Sequence, residues 1–213
     1  MVTVRSYRDE DFGDLVRMFD ETWGWELKGS SEENLDLASM YIALALVAAD
    51  TVYVCEVDGS VQGVTCLQTS KKSALERLDN KDYDAKTYFF MAQTLENKLQ
   101  QTESGRFALD FYERLDAVNE ILIEKLSENG VAWDVELKLL LTSPSCRGKG
   151  VGKALVTKVF DELRSKAVKT CMLRTDTHCA WEYYEKTGWT RGAEYVWPDE
   201  DDLTALAYVK AVS

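Results

Sequence analysis

Proline and histidine are scarce in this chain, and long apolar runs are missing. With 2 prolines and 12 glycines in 213 residues, the sequence leaves little room for flexible linkers, so we expect residues 1–213 to form a single domain. The longest apolar run, Met40 to Ala49, is too short to span a bilayer and is typical of a buried helix. The charged start of the chain lacks the apolar core of a secretory signal. We therefore expect a cytoplasmic protein without a membrane partner.

The histidines and paired cysteines that are typical of zinc sites are also scarce. One histidine, His178, and five cysteines without a C-x-x-C pair form no ligand pattern for a structural zinc ion. An odd number of cysteines favours reduced thiols, which fits the cytoplasm. His178 precedes Cys179, but adjacent residues on a turn rarely aim their side chains at each other, so we do not expect a Cys–His hydrolase. The sequence predicts no metal site.

Basic residues are outnumbered, with 25 Lys and Arg against 37 Asp and Glu and a formal net charge of −12. A chain this acidic repels phosphate backbones, so we expect no nucleic-acid partner. The same charge favours cationic partners such as amines, although solubility alone would also explain it.

One basic, glycine-rich segment, Ser143 to Gly152, interrupts this acidic background. It follows an apolar strand-like run, Val135 to Thr142, and leads into a helix-like run, Val151 to Ala167. Amide groups at a helix N-terminus lack an intrahelical partner, and the helix dipole favours anions there. Glycines let the backbone approach a ligand closely. The segment therefore predicts a phosphate-binding turn.

Spacing separates three kinds of phosphate-binding loop. A Walker A loop needs glycine at position 147 and a hydroxyl residue after Lys153, where this chain has Arg147 and Ala154. The dinucleotide fingerprint needs glycine at position 153. The spacing that fits is R-x-x-G-x-G, formed by Arg147, Gly150 and Gly152. On its own, this motif is equally consistent with an ordinary strand-to-helix turn.

A second motif follows the strand-like run Thr170 to Thr175. From Ala180 onward the chain fits A-x-x-x-Y-E-K-x-G-F, with Trp189 in place of phenylalanine. In this order and separation, the two motifs resemble the GNAT superfamily of acyl-CoA-dependent N-acetyltransferases. The family often has asparagine seven residues before the tyrosine of this motif, whereas this chain has Thr177.

The resemblance covers about 1–69 and 131–213 and implies an α/β GNAT fold, a mixed central sheet flanked by helices. A hairpin signal at Asp58-Gly59 and a capping box begun by Ser30 or Ser31 fit its N-terminal half. Residues 70–130 depart from the family pattern and have helical periodicity, which predicts a helical insertion between the third and fourth strands. We expect the insertion to pack on the domain or on a second subunit of a homodimer, or to cover the acceptor site.

The resemblance implies acetyl-CoA as co-substrate, bound along two segments. The end of the fourth strand would bind pantetheine and polarise the thioester through its free backbone groups, at Leu140, Leu141 and Thr142. The following loop would hold the pyrophosphate on its amides, at Arg147, Gly148, Lys149, Gly150, Val151 and Gly152.

Two residues are candidates for proton transfer. Glu136 lies close to where the histone-acetyltransferase branch of the family places its base, and strand alternation puts it on one face with Lys138, Leu140 and Thr142. It could instead be a solvated carboxylate paired with Lys138. Tyr184 matches the motif tyrosine, and a phenol is protonated at neutral pH and can donate to a thiolate. It could instead only pack beside CoA.

The resemblance also suggests acceptor-side walls at Trp23, Trp25 and Tyr41, with His178 as a further candidate; core packing is an equal reading of the aromatic residues. We expect transfer of an acetyl group from acetyl-CoA to a primary amine by direct attack in a ternary complex. The amine could belong to a small molecule or a protein. The alternative is a non-catalytic acyl-CoA-binding regulatory module.

Overall fold

The computed structural model describes residues 1–24, 30–69, 72, 74–78, 80, 82–198 and 202–212. The N-terminal half contains the elements β1 (Val2–Ser6), α1 (Phe12–Trp23), α2 (Ser31–Ala48), β2 (Thr51–Val57) and β3 (Ser60–Thr69). Three helices come next, which are α3 (Ala74–Leu78), α4 (Ala85–Leu99) and α5 (Glu103–Glu128). The C-terminal half contains β4 (Val135–Thr142), α6 (Val151–Ser165), β5 (Thr170–Asp176), α7 (Glu182–Lys186), β6 (Thr190–Val196) and β7 (Thr204–Ala211).

The strands form one mixed sheet in the order β1-β2-β3-β4-β5-β7-β6. β4 and β5 pair in parallel, and every other neighbouring pair is antiparallel. Helices cover both faces of this sheet. The predicted fold class, a mixed sheet flanked by helices with a helical insertion between the third and fourth strands, is confirmed.

Local signals placed the N-terminal elements correctly. The Ser30 hydroxyl accepts a hydrogen bond from the Glu33 amide, and the Glu33 carboxylate accepts one from the Ser30 amide, so the capping box starts α2. Asp58 and Gly59 both have positive φ, 51° and 84°, as a tight hairpin between β2 and β3 requires.

The insertion packs on its own domain. Tyr88, Ala92 and Leu99 of α4 join the buried cluster formed with α1 and α2. Leu122 and Leu126 of α5 pack instead on the strands β5, β6 and β7, with Met172, Ala205 and Ala207 among their neighbours. The insertion thus covers a sheet face that would otherwise expose apolar side chains.

The break between α4 and α5 covers only residues 100–102. Thr102 caps α5 by accepting a hydrogen bond from the Gly105 amide, so Gly105 lies in the first turn of the helix. A Cβ on Gly105 would lie 2.1 Å from the Leu99 carbonyl oxygen. The glycine is therefore explained by a close backbone approach rather than by a break.

The opposite face of the sheet is covered by α6. Its buried residues Val151, Leu155, Val159 and Phe160 pack on Tyr53, Leu137, Leu173 and Tyr208 of the strands. Gly63 of β3 permits this contact, because a Cβ there would lie 2.6 Å from Val151 Cγ1 and 3.0 Å from Leu155 Cδ1. The close packing fixes where α6 begins relative to β4.

We predict that Gly63→Ala lowers the free energy of unfolding by about 1–3 kcal/mol, because the added methyl group overpacks the α6 contact. Gly13→Ala is the matched control, since Gly13 is exposed in α1 and a Cβ there meets nothing within 4 Å. That control should be neutral or stabilising, by up to about 1 kcal/mol. Urea unfolding measures both, and a Gly63→Ala variant as stable as the parent would contradict the packing argument.

Candidate functional site

The strands β4 and β5 pair over only three residues, with the register Val135↔Cys171, Glu136↔Met172 and Leu137↔Leu173. Beyond Leu137, β4 stays paired with β3 as far as Thr142, while β5 stays paired with β7 as far as Asp176. A gap therefore opens in the middle of the sheet. Backbone N–H and C=O groups along its edges have no strand partner across it, so they can bind a ligand.

A β-bulge lies where the gap opens. Leu139 pairs with Cys66 and Leu137 pairs with Leu67, so Lys138 is an extra residue in β4. Burial raises the pKa of the Cys66 thiol to about 12, and the nearby Lys138 ammonium opposes this rise. Lys138 therefore lies near Cys66, on the α1–α2 side.

The bulge overturns the predicted alternation along β4. Val135 and Leu137 pack on the α6 face, and so does Leu140, whereas Leu139 and Leu141 pack with α1 and α2. The prediction that Glu136, Lys138, Leu140 and Thr142 share one face was wrong, because the extra residue reverses the alternation beyond Lys138. Leu140 and Thr142 consequently lie on the same face as the glycine-rich loop.

The loop between β4 and α6 exposes amides in the way that its composition predicts. Gly148 and Gly150 have φ of 77° and 83°, a conformation that costs other residues about 1–2 kcal/mol. Gly150 is the N-terminal cap of α6, and no side chain caps this helix. The first α-helical hydrogen bond runs from the Ala154 amide to the Gly150 carbonyl, so the amides of the first turn remain available.

Gly152 needs a different explanation, because its φ is not positive. A Cβ there would meet only Thr142 Cγ2, at an ordinary 3.7 Å. The fold would therefore tolerate a side chain at position 152. Because Gly152 has no side chain, the space in front of the α6 N-terminus stays open.

Positive charge surrounds this helix N-terminus. Arg147 and Lys149 are exposed on the loop. The loop is anchored underneath, because the Ser143 amide donates to the Gln62 carbonyl and the Cys146 thiol donates to the Gln62 side chain. A rigid turn with free amides and two cations is suited to a pyrophosphate.

Tyr184 of α7 lies on the α6 face. Its ring centroid is 5.9 Å from those of both Trp189 and Tyr208. Burial raises the pKa of its phenol, which keeps the proton on the oxygen at neutral pH. Within the described part of the chain, nothing accepts a hydrogen bond from this hydroxyl.

Glu136 lies next to the point where β4 and β5 separate, which is called the fork below, on the face of the sheet opposite α6. Arg174 is the first β5 residue beyond the last pair with β4, and its Nε and Nη2 both donate to Glu136 Oε1, at 3.0 Å and 2.7 Å. Both side chains are nearly buried, with 11% and 9% exposed. Glu136 is therefore neither solvated nor paired with Lys138. Sequence reasoning missed Arg174, although a charge within an apolar strand is a usable signal.

The aromatic candidates Trp23 and Tyr41 pack against the buried cluster of α1 and α2. Trp23 and Tyr41 both contact the Phe19 ring, with centroids 5.1 Å and 4.5 Å away. Tyr41 also contacts Tyr112 of the insertion, a residue that sequence reasoning did not consider, at 5.8 Å. Trp25 lies outside the described residues.

His178 occupies an exposed turn between β5 and α7. Its amide donates to Asp176, and its Nε2 is 3.6 Å from Asp202 Oδ1. The neighbouring Thr177 donates to the Asp202 carbonyl and accepts from the Thr204 amide, so its hydroxyl holds the start of β7. The structure thus directs His178 toward the β6–β7 turn.

Comparison with known proteins agrees with this geometry. Residues 120–189 match the family model described as "Acetyltransferase (GNAT) family", which spans the loop and Tyr184. The resemblance to the GNAT superfamily is confirmed. No curated protein matches the sequence.

Solved structures share the GNAT fold over the whole chain. A mosquito arylalkylamine N-acetyltransferase like 5b is 13% identical, with a TM-score of 0.57 over 99% of this chain and 100% of the other. An N-acetyltransferase from Staphylococcus aureus Mu50 is 11% identical, with a TM-score of 0.53 over 100% and 99%. The ribosomal-protein-S18-alanine N-acetyltransferase from Escherichia coli is 13% identical, with a TM-score of 0.51 over 100% and 95%.

Three further features bear on the site. All five cysteines are free thiols. Among the described residues, no group of three or more His, Cys, Asp or Glu side chains is arranged to hold a metal ion. In that same part of the chain, no helix has the length and apolar character needed to cross a membrane.

We predict that Gly152→Asp weakens acetyl-CoA binding by roughly tenfold or more, since 1.4 kcal/mol of repulsion already gives that factor. The carboxylate would occupy the space in front of the free amides, yet it suits a helix N-terminus and should leave the fold intact. Gly13→Asp is the matched control, because Gly13 is likewise the second residue of its helix. Calorimetric titration compares them, and equal affinity in both variants would refute a phosphate site at the loop.

Proposed function

We propose that this protein transfers an acetyl group from acetyl-CoA to a primary amine by direct attack in a ternary complex. One observation carries the proposal. The β4–β5 gap lies between the uncapped N-terminus of α6 on one face of the sheet and the buried Glu136–Arg174 pair on the opposite face. A long thioester could enter from one face, and an amine could reach it from the other.

Acetyl-CoA would bind along the edges of this gap. Its pyrophosphate would lie against Arg147 to Gly152, on the amides that the loop does not use itself, beside the exposed cations. The Arg147 and Lys149 amides already donate to the Pro144 and Cys146 carbonyls. Its pantetheine arm would follow Leu140, Leu141 and Thr142, whose backbone groups lack a partner on β5. A backbone amide there would also stabilise the oxyanion that forms as the amine attacks.

The proton transfers fall on two residues. The amine must lose a proton to attack the thioester carbon, and Glu136 would accept it directly or through a water. Arg174 uses only Oε1 of this carboxylate, which leaves Oε2 for that purpose. As the C–S bond breaks, Tyr184 would donate its proton to the CoA thiolate.

The acceptor is expected to be cationic before it reacts, because the chain carries a net charge of −12. Structures with this fold include an enzyme named for an alanine of a ribosomal protein and one named for arylalkylamines. A small-molecule amine and a protein amine both fit the fold. We place the protein in the cytoplasm, where acetyl-CoA and reduced thiols are expected.

We predict that Tyr184→Phe lowers kcat by about 10²–10⁴-fold with little change in acetyl-CoA affinity, because the ring stays and only the proton donor is lost. Tyr183→Phe is the matched control, since Tyr183 is the exposed neighbour on the same helix. CoA release from acetyl-CoA with a panel of amines measures both variants. Wild-type turnover in Tyr184→Phe would show that another group protonates the thiolate.

Glu136→Gln should lower turnover most at low pH. The defect should shrink as pH rises, because the free amine then needs no base. Asp134→Asn is the control, since Asp134 lies just before β4, where it accepts hydrogen bonds from the Lys169 and Thr170 amides. A Glu136→Gln defect that is constant with pH would assign this residue to binding.

A non-catalytic acyl-CoA-binding module is the second candidate. The Arg174–Glu136 ion pair favours this module, because a guanidinium that holds Glu136 would give the carboxylate a purely structural role. Acetyl-CoA binding without CoA release in the presence of any amine would support this module over the enzyme.

A further inference from the structure

The Glu136–Arg174 pair crosses the point where the two central strands separate. Glu136 is in register with Met172, and Arg174 lies two residues further along β5. Such a diagonal neighbour on the adjacent strand is within reach of a long side chain. Beyond Leu173, β5 continues its pairing with β7, where Arg174 is opposite Ala207. Arg174 is therefore anchored on one side of the gap, and the carboxylate that it binds is on the other side.

Both side chains lie on the face of the sheet that the insertion covers. Met172 belongs to the buried cluster that contains Leu122 and Leu126 of α5. Arg174 shares the face of Met172, because side chains two residues apart on a strand point the same way. A charge buried beside an apolar cluster costs free energy unless it is paired. Arg174 and Glu136 consequently need each other in order to stay charged at this position.

Two donors of this pair converge on a single oxygen. Arg174 Nε and Nη2 both donate to Glu136 Oε1, at 3.0 Å and 2.7 Å. Within the part of the chain that the structure describes, Glu136 Oε2 has no hydrogen-bond partner. The guanidinium thus fixes one oxygen of the carboxylate and leaves the other oxygen unused.

A second buried carboxylate shows the arrangement that stability alone favours. Arg5 Nη1 and Nη2 donate separately to Asp11 Oδ2 and Oδ1, both at 2.7 Å. The Arg8 amide also donates to Asp11 Oδ2. Both oxygens are satisfied, as in the strong bidentate pairs of arginine with carboxylates. Asp11 is 4% exposed and Glu136 is 7% exposed, so a difference in burial does not explain why Glu136 keeps an unused oxygen.

We propose that Arg174 is a positioning residue, which holds Oε1 of Glu136 so that Oε2 takes the proton of the acceptor amine. This inference rests on the proposed function. A planar guanidinium with two N–H groups on one oxygen restricts how the carboxylate can turn. A base must lie within hydrogen-bond reach of the proton that it takes. The proton passes from the ammonium nitrogen to Oε2, while Arg174 keeps its own protons and its bonds to Oε1.

The first test measures CoA release from acetyl-CoA with three amines, which are n-butylamine, spermidine and a lysine-containing tetrapeptide. With the fastest of them, Arg174→Met should lower kcat by about tenfold or more, as part of the 10²–10⁴-fold that a positioned base contributes. The KM values for acetyl-CoA and for the amine should change little, because Arg174 contacts neither. Arg174→Lys keeps the charge but not the planar pair of donors, so it should restore kcat only in part. Full recovery in Arg174→Lys would overturn the proposal.

The double variant Glu136→Gln/Arg174→Met separates positioning from a direct role of the guanidinium. It has no charge at the fork, so no buried carboxylate is left without a partner. If Arg174 acts only through Glu136, the double variant should have the kcat of Glu136→Gln, because residues that act as a unit are not additive. This comparison holds even where Arg174→Met alone does not fold. A further loss of about tenfold in the double variant would overturn the proposal.

Arg5→Met is the matched control, because Arg5 of β1 holds the other buried carboxylate. It should lower the free energy of unfolding, measured in urea, while kcat per folded molecule stays at the parent value. An equal loss of kcat in Arg5→Met and Arg174→Met would attribute both effects to stability and overturn the proposal.

Activity of the parent keeps the two proposals distinguishable. If the parent releases CoA with one of the three amines and Arg174→Met has the same kcat, the positioning role fails and the acetyltransferase stands. If none of the three amines releases CoA with the parent, the positioning role and the acetyltransferase fail together.

Discussion

The separation of β4 from β5 is the constraint on which the rest of the structure depends. A sheet normally satisfies its backbone groups by pairing, and an unpaired buried group costs about 1–3 kcal/mol. Here each strand keeps its outer partner, β3 for β4 and β7 for β5, so only the groups facing the gap are left over. The bulge at Lys138 lies where the separation starts, and bulges are common next to active sites. The unpaired edges therefore fit a site for an extended ligand.

The gap also explains why the two proton-transfer candidates lie on opposite faces of the sheet. Tyr184 packs with the α6 face, where the loop amides and cations are. Glu136 and Arg174 face the side covered by α1, α2 and the insertion. A buried ion pair gains little net stability, because desolvation of both charges offsets their attraction. Its position at the fork is better explained by the chemistry of the gap than by the stability of the fold.

The sequence predicted the features that depend on local signals. The order of the elements, the capping box at Ser30, the turn at Asp58-Gly59 and the glycine-rich loop all follow from neighbouring residues. Two apolar periodicities likewise predicted the helices of the insertion, α4 and α5.

Features that depend on distant contacts could not be predicted in the same way. An alternating strand pattern contains no sign of an extra residue, so the bulge at Lys138 reversed the predicted faces of β4. The partner of Glu136 was missed because Arg174 lies on a different strand. The contact between Tyr112 and Tyr41 was not predicted, because it depends on how α5 crosses the domain.

The central claim is that the gap and the loop together bind acetyl-CoA. Amide chemical shifts in ¹H–¹⁵N spectra, recorded as acetyl-CoA is added, test it most directly. The account predicts the largest shifts at Leu140 to Thr142 and at Gly148 to Lys153, with a smaller response at β1, which lies at the edge of the sheet. Shifts confined to other elements, or no shifts at millimolar acetyl-CoA, would contradict it.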